Sequence, residues 1–91
     1  MAKVFYIDLK DVQTRESFHN ALERQLPLPD YYGRNLDALY DVLTETDEAR
    51  TLVIYNCMSF EEAEPLYVSR LKRMLERAVK ACPDLNIRLF R

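Results

Sequence analysis

The chain has 91 residues, 48% hydrophobic and 31% charged, with a formal net charge of −2 and a single glycine. A chain of this length buries only about 60 to 65% of its unfolded surface, which predicts one core formed by residues 1–91 and excludes a deep, multi-part catalytic cleft. The lone Gly33 excludes the glycine-rich loops that cradle nucleotide phosphates, so no cofactor is expected.

The first element is the run Val4-Phe5-Tyr6-Ile7, continuous, aromatic and β-branched, which predicts a strand buried on both faces as parallel strands are. After Thr14, an N-cap residue type, Phe18, Ala21, Leu22, Gln25 and Leu26 follow helical spacing until Pro27 and Pro29 stop the helix. His19 falls at the flank of that apolar stripe and is expected to be partly exposed and structural. A second helix is predicted after Asn35, with Leu36, Leu39, Tyr40 and Leu43 on its apolar side. Thr51 to Asn56 repeats the strand signal. Ser59 and Glu62 have the spacing of a capping box, which predicts a short helical turn there. A long helix follows from about Leu66 to Ala81, with Val68, Leu71, Leu75, Ala78 and Cys82 on one side. Leu85, Ile87 and Leu89 alternate with Asn86, Arg88 and Phe90, as in a third, edge strand.

The order β-α-α-β-(α)-α-β gives each strand-to-strand crossover room for a helix, which predicts an α/β fold with a three-stranded parallel sheet packed against three to four helices. Strand order is left open by this reasoning. Cys57 and Cys82 have neither a second cysteine nor a histidine close in sequence; both are read as reduced thiols, and no metal site is expected. Apolar runs such as Leu52-Val53-Ile54-Tyr55 fall far short of the roughly 20 residues that span a membrane. The N-terminus has no basic segment followed by an apolar one, so a cytoplasmic location is expected.

Charge is segregated along the chain. Residues 30–48 hold Arg34 against Asp30, Asp37, Asp41, Glu45, Asp47 and Glu48, a net −5, whereas residues 70–91 sum to +5. Asp37, Asp41 and Glu45 stand at i, i+4 and i+8, a single stripe on the side of the second helix away from its leucines. Like charges at this spacing destabilise an isolated helix by about 0.2 to 0.5 kcal/mol per pair, so stability alone does not select the arrangement. With the aromatic pair Tyr31-Tyr32 just before it, the stripe has the composition of a recognition surface for cations.

The stretch Leu28-Pro29-Asp30-Tyr31-Tyr32-Gly33-Arg34-Asn35-Leu36-Asp37-Ala38-Leu39-Tyr40-Asp41 resembles the signature of the barstar family, intracellular inhibitors of the ribonuclease barnase. The element order and length agree over nearly the whole chain. The resemblance implies a non-enzymatic inhibitor whose acidic helix and preceding loop plug the active site of a secreted or toxin-type ribonuclease, with carboxylates in the place of RNA phosphates. It implies Asp41 as the central phosphate mimic, Asp37 as its neighbour and Tyr31 as an aromatic packed on the catalytic histidine region. Tyr32, Gly33, Asn35, Leu36, Ala38, Tyr40, Thr44, Glu45 and Thr46 complete the expected contact, and the free protein is expected to be a monomer. The family's pattern has a tryptophan where Thr46 stands and an acidic residue where Arg77 stands.

The same acidic surface also fits an adaptor for another basic protein, and two further function classes rest on other features of the residues. Arg70, Arg73, Arg77 and Lys80 share a face of the last helix, as a phosphate-binding stripe would, but the pI near 5.4 and the absence of an aromatic-basic motif argue for a solvated face and against direct nucleic-acid binding. Asp37 and Asp41 alone supply neither nucleophile nor oxyanion stabiliser, and His19 has no triad around it, so no catalytic residue is assigned.

Overall fold

Strand β1 (Lys3–Asp8) opens the chain in the computed structural model, which describes residues 2–46 and 48–91. Asp47 of the acidic segment lies outside the described residues. There follow α1 (Arg15–Gln25), α2 (Leu36–Thr44), β2 (Arg50–Tyr55), α3 (Met58–Ala63), α4 (Pro65–Ala81) and β3 (Leu85–Leu89). The strands form one parallel sheet in the order β1-β2-β3. The α/β fold predicted from the period changes is the observed one, and the open question of strand order closes with β2 in the centre.

Local chemistry sets most boundaries. Thr14 caps α1 by accepting from the Ser17 N–H at 2.9 Å, and the Ser17 hydroxyl oxygen accepts from the Thr14 N–H at 3.1 Å, a reciprocal pair that satisfies donors at both ends of the first turn. The expected capping box at Ser59 does not form. Asn56 turns the chain through a left-handed φ of 59°, and α3 begins at Met58 behind Cys57, so Ser59 is already inside the helix. Pro65 then opens α4 at a position where its missing N–H costs nothing.

One layer of helices covers one face of the sheet. The core joins Ile7, Leu52, Ile54 and Leu85 of the strands to Phe18, Leu22, Leu39, Leu43, Val68, Leu71 and Leu75 of the helices. The expectation that β1 is buried on both faces is corrected: Val4 is 48% and Tyr6 64% exposed, because β1 is an edge strand whose second face meets no helix. Cys57 is buried and Cys82 half-buried, both free thiols. Burial pushes the Cys57 thiol pKa up, which keeps it protonated and inert. Among the described residues no helix is long and apolar enough to cross a membrane.

His19 is likewise corrected, from partly exposed to 2% exposed. Its Nδ1 lies 2.6 Å from the Tyr32 hydroxyl and its Nε2 2.8 Å from the Tyr67 hydroxyl. A neutral imidazole has one donor and one acceptor nitrogen, so one tyrosine accepts and the other donates. Burial, and then the charge of Arg34, lower the His19 pKa from 6.5 to about 4. The unfolded chain therefore takes up a proton below pH 6.5 that the folded chain refuses until about pH 4, so stability from this group is full above pH 6.5 and falls as pH drops through that window. Urea unfolding at about pH 4.5 is expected to give a stability on the order of 2 kcal/mol below that at neutral pH. His19→Gln is expected to flatten that part of the pH profile, and an unchanged slope in the variant would refute the assignment.

Candidate functional site

The second helix and the loop before it are built as a rigid projection. Leu39 and Leu43 are buried, each stabilising the docked helix by about 1.5 to 3 kcal/mol. Asn35 caps α2 by accepting from the Ala38 N–H at 2.7 Å, while its amide donates to the Gly33 carbonyl at 3.2 Å. At the other end the orphaned Leu43 carbonyl accepts from the Arg50 guanidinium, which reaches it from β2. α2 has no basic residue of its own in the last turn, so Arg50 supplies the cation that the negative end of the helix dipole favours. Arg50 is buried, and its Nε has no hydrogen-bond partner among the described residues.

With those leucines turned inward, Asp37, Asp41 and Glu45 all face solvent. Tyr31, 75% exposed, donates its hydroxyl to Glu45 Oε1 at 3.2 Å, bridging the loop to the end of the helix. That bond, and the Glu45 charge behind it, raise the Tyr31 pKa. Beneath the bridge lies a hollow of about 420 Å3 floored by Phe5, Leu26, Val42 and Leu52. Thr46 is exposed and its hydroxyl accepts from the Glu48 N–H at 3.1 Å. Thr44 is half-buried and donates back to the Tyr40 carbonyl at 2.8 Å.

The structure separates the two tyrosines of the motif. Tyr32 is 8% exposed and its hydroxyl is held by His19, so its side chain belongs to the core and only its backbone is near the surface. A turn explains this: the Tyr32 N–H donates to the Pro29 carbonyl at 3.0 Å, which leaves Tyr31 on the outside of the turn while the chain leaving it delivers Tyr32 to the core. Tyr40 is half-buried with the Arg77 guanidinium 4.9 Å above its ring centroid. Leu36 and Ala38 are half-buried, and a Cβ added to Gly33 would come within 3.2 Å of the Ala38 Cβ.

Arg34, given no role by the sequence alone, and the arginine stripe of α4, whose nearness to α2 the sequence did not show, also shape the site. Arg34 adopts a left-handed φ of 56°. Its guanidinium donates to Asn20 Oδ1 at 2.7 Å and the Glu16 carbonyl at 3.3 Å, and it pairs with Glu23, tying the loop to α1. Arg73, with Arg70 and Arg77, lines a hollow of about 460 Å3 between α4 and the first turn of α2, with Asp37 on its other wall. An acidic ridge and an arginine ridge therefore run side by side. Among the described residues no group of His, Cys, Asp and Glu is placed to hold a metal ion.

The three-stranded parallel sheet and its helices are those of a known class of small α/β proteins. The family described as Barstar (barnase inhibitor) matches residues 2–90, and the chain belongs to the barstar family. It is 51% identical over 81 residues, 88% of this chain and 86% of the relative, to a protein of Bacillus subtilis (strain 168) named "Putative ribonuclease inhibitor YrdF".

Two substitutions test whether Arg34 fastens the loop. Arg34→Ala removes its bonds and keeps the left-handed backbone, and it is expected to cost about 1 to 2 kcal/mol in urea unfolding. Arg34→Gly removes the same bonds but accepts that φ freely, and should be the less destabilised by roughly 0.5 to 1 kcal/mol. The reverse order would show that the left-handed turn is not a constraint.

Proposed function

We propose that the chain inhibits a ribonuclease by inserting the outer face of α2 and the loop before it into the cationic active site, where its carboxylates take the place of RNA phosphates. Membership of the barstar family and the name of the relative from Bacillus subtilis support the inhibitory role. The observation that carries the mechanism is the row of Asp37, Asp41 and Glu45, all exposed on a helix capped at both ends and packed on the core. Carboxylates held this way meet Arg and Lys side chains in short, charge-assisted bonds without first losing much side-chain or backbone freedom.

On this reading Asp41 is central, Asp37 flanks it, and Tyr31 lies against the catalytic histidine region. Asn35, Ala38, Thr44 and Thr46 border the contact, while Tyr32 acts through the core. The chain is non-catalytic and works in the cytoplasm. The arginines beside Asp37 narrow the target further, because a nuclease with a uniformly basic rim would be repelled where it overhangs α4. The favoured partner has a cationic cleft whose rim on that side is neutral or acidic.

Titration of barnase while following RNA cleavage is expected to show stoichiometric inhibition. Asp41→Ala should weaken binding by about 2 kcal/mol or more, roughly 30-fold. Its midpoint of thermal unfolding should stay within a few degrees, because Asp41 is exposed. Equal losses in binding and stability would overturn the placement of Asp41.

A further inference from the structure

The sheet is parallel, yet one of its faces is bare. On that face the register sets Val4, Thr51 and Asn86 in one row and Tyr6, Val53 and Arg88 in the next. Asp8 and Tyr55 form a third row, which Phe90 extends by donating its N–H to the Ile54 carbonyl at 2.7 Å. None of Val4, Tyr6, Val53, Tyr55 and Phe90 packs against the core. Parallel sheets occur almost only with both faces covered, and β1 and β2 place Val4, Tyr6, Val53 and Tyr55 on this bare side. A contiguous apolar patch left in water marks an interaction surface.

We propose that this face binds a second copy of the chain, in a two-fold dimer that stacks the two sheets with Arg88 of each copy on Tyr6 of the other. The charge distribution selects the occupant and the axis. A two-fold axis running along the strands lays β1 over the partner's β3 and β2 over the partner's β2, keeping each row in register with itself. Tyr6 then meets Arg88 of the partner subunit twice, a cation–π pair on either side of the paired Val53 and Tyr55. An axis across the strands would instead set Arg88 against its own copy. Arg88 forms no ion pair among the described residues, so its charge is available. The resulting strand directions are those of aligned sheet packing.

The dimensions set the strength. Three strands of about five residues offer roughly 250 Å2 of flat area per copy, well below the ~800 Å2 per partner of a stable complex. The dimer is therefore weak, with a dissociation constant of about 100 μM to 1 mM. It departs from the monomer expected of the sequence only at high concentration. The helices lie on the opposite layer, so both copies keep their acidic ridges exposed, and the dimer presents two of them facing apart.

Sedimentation equilibrium between about 10 μM and 1 mM is expected to show the average mass rising from 10.8 kDa towards twice that. Amide NMR shifts over the same range should change at Tyr6, Val53, Tyr55, Arg88 and Phe90. Arg88→Glu should weaken association about tenfold or more, and the exchange Tyr6→Arg with Arg88→Tyr, which rebuilds the same pair, should restore it. A purely monomeric mass at the top of the range would overturn the proposal, as would shifts on another surface or a swap that fails to restore association while its thermal unfolding remains normal. A single-stranded polyuridylate that shifts these residues at lower concentration than self-association does would overturn it in favour of a base-stacking platform. None of these readouts uses a nuclease, so they stand or fall apart from the inhibitory reading.

Discussion

One imidazole holds the loop before α2 to the fold. His19 comes from α1, Tyr32 from the loop before α2 and Tyr67 from α4, and both ring nitrogens are occupied by tyrosine hydroxyls inside the core. A polar trio of this kind is costly when one bond is missing and rigid when all are made, because the surrounding low dielectric strengthens each bond and punishes an unmade one. Phe18 and Phe60 pack around it, stacked at 4.9 Å, with Tyr67 edge-on to both. The position of Tyr32 fixes that of Tyr31 one residue earlier, and through it the edge of the acidic ridge. Arg34 fastens the same loop from the outside, onto α1.

Fold class was legible because it rests on periods that short stretches display. The leucines of α2, the stripe of α4 and the apolar runs of β1 and β2 each repeat within their own element. The caps at Thr14 and Asn35 were legible for the same reason, since a cap and its target lie three residues apart. What was not legible depends on partners distant in sequence. His19 reads as flanking its helix until Tyr32 and Tyr67, 13 and 48 positions away, close over it. Of the adjacent Tyr31 and Tyr32, sequence cannot say which turns inward, because composition is identical and only the core decides. A strand apolar on both sides signals two-sided burial, but the chain covers one side with its own helices.

For the site, the carboxylate stripe was visible as spacing, and its exposure follows once Leu39 and Leu43 are buried. The arginine ridge on α4 was visible as spacing too, but its nearness to Asp37 was not. That proximity changes the electrostatics: a single-signed ligand such as free RNA gains at one ridge and loses at the other. Charges this close partly cancel at distances beyond the Debye length of about 8 Å, so discrimination happens late in an encounter and not during the approach.

Gln25, the last residue of α1, has its side chain against the outer edge of β1. The amide accepts from the Asp8 N–H at 2.9 Å and donates to the Asp8 carbonyl at 3.0 Å, reproducing the pairing that a neighbouring strand would make. Edge strands rich in valine, isoleucine and aromatics are templates for ordered aggregation, and Lys3-Val4-Phe5-Tyr6-Ile7-Asp8 has that composition. Here one glutamine plugs the end of the template. Fraying of the final turn of α1 would uncover the Asp8 pairing groups, so the end of α1 and the end of β1 shield each other.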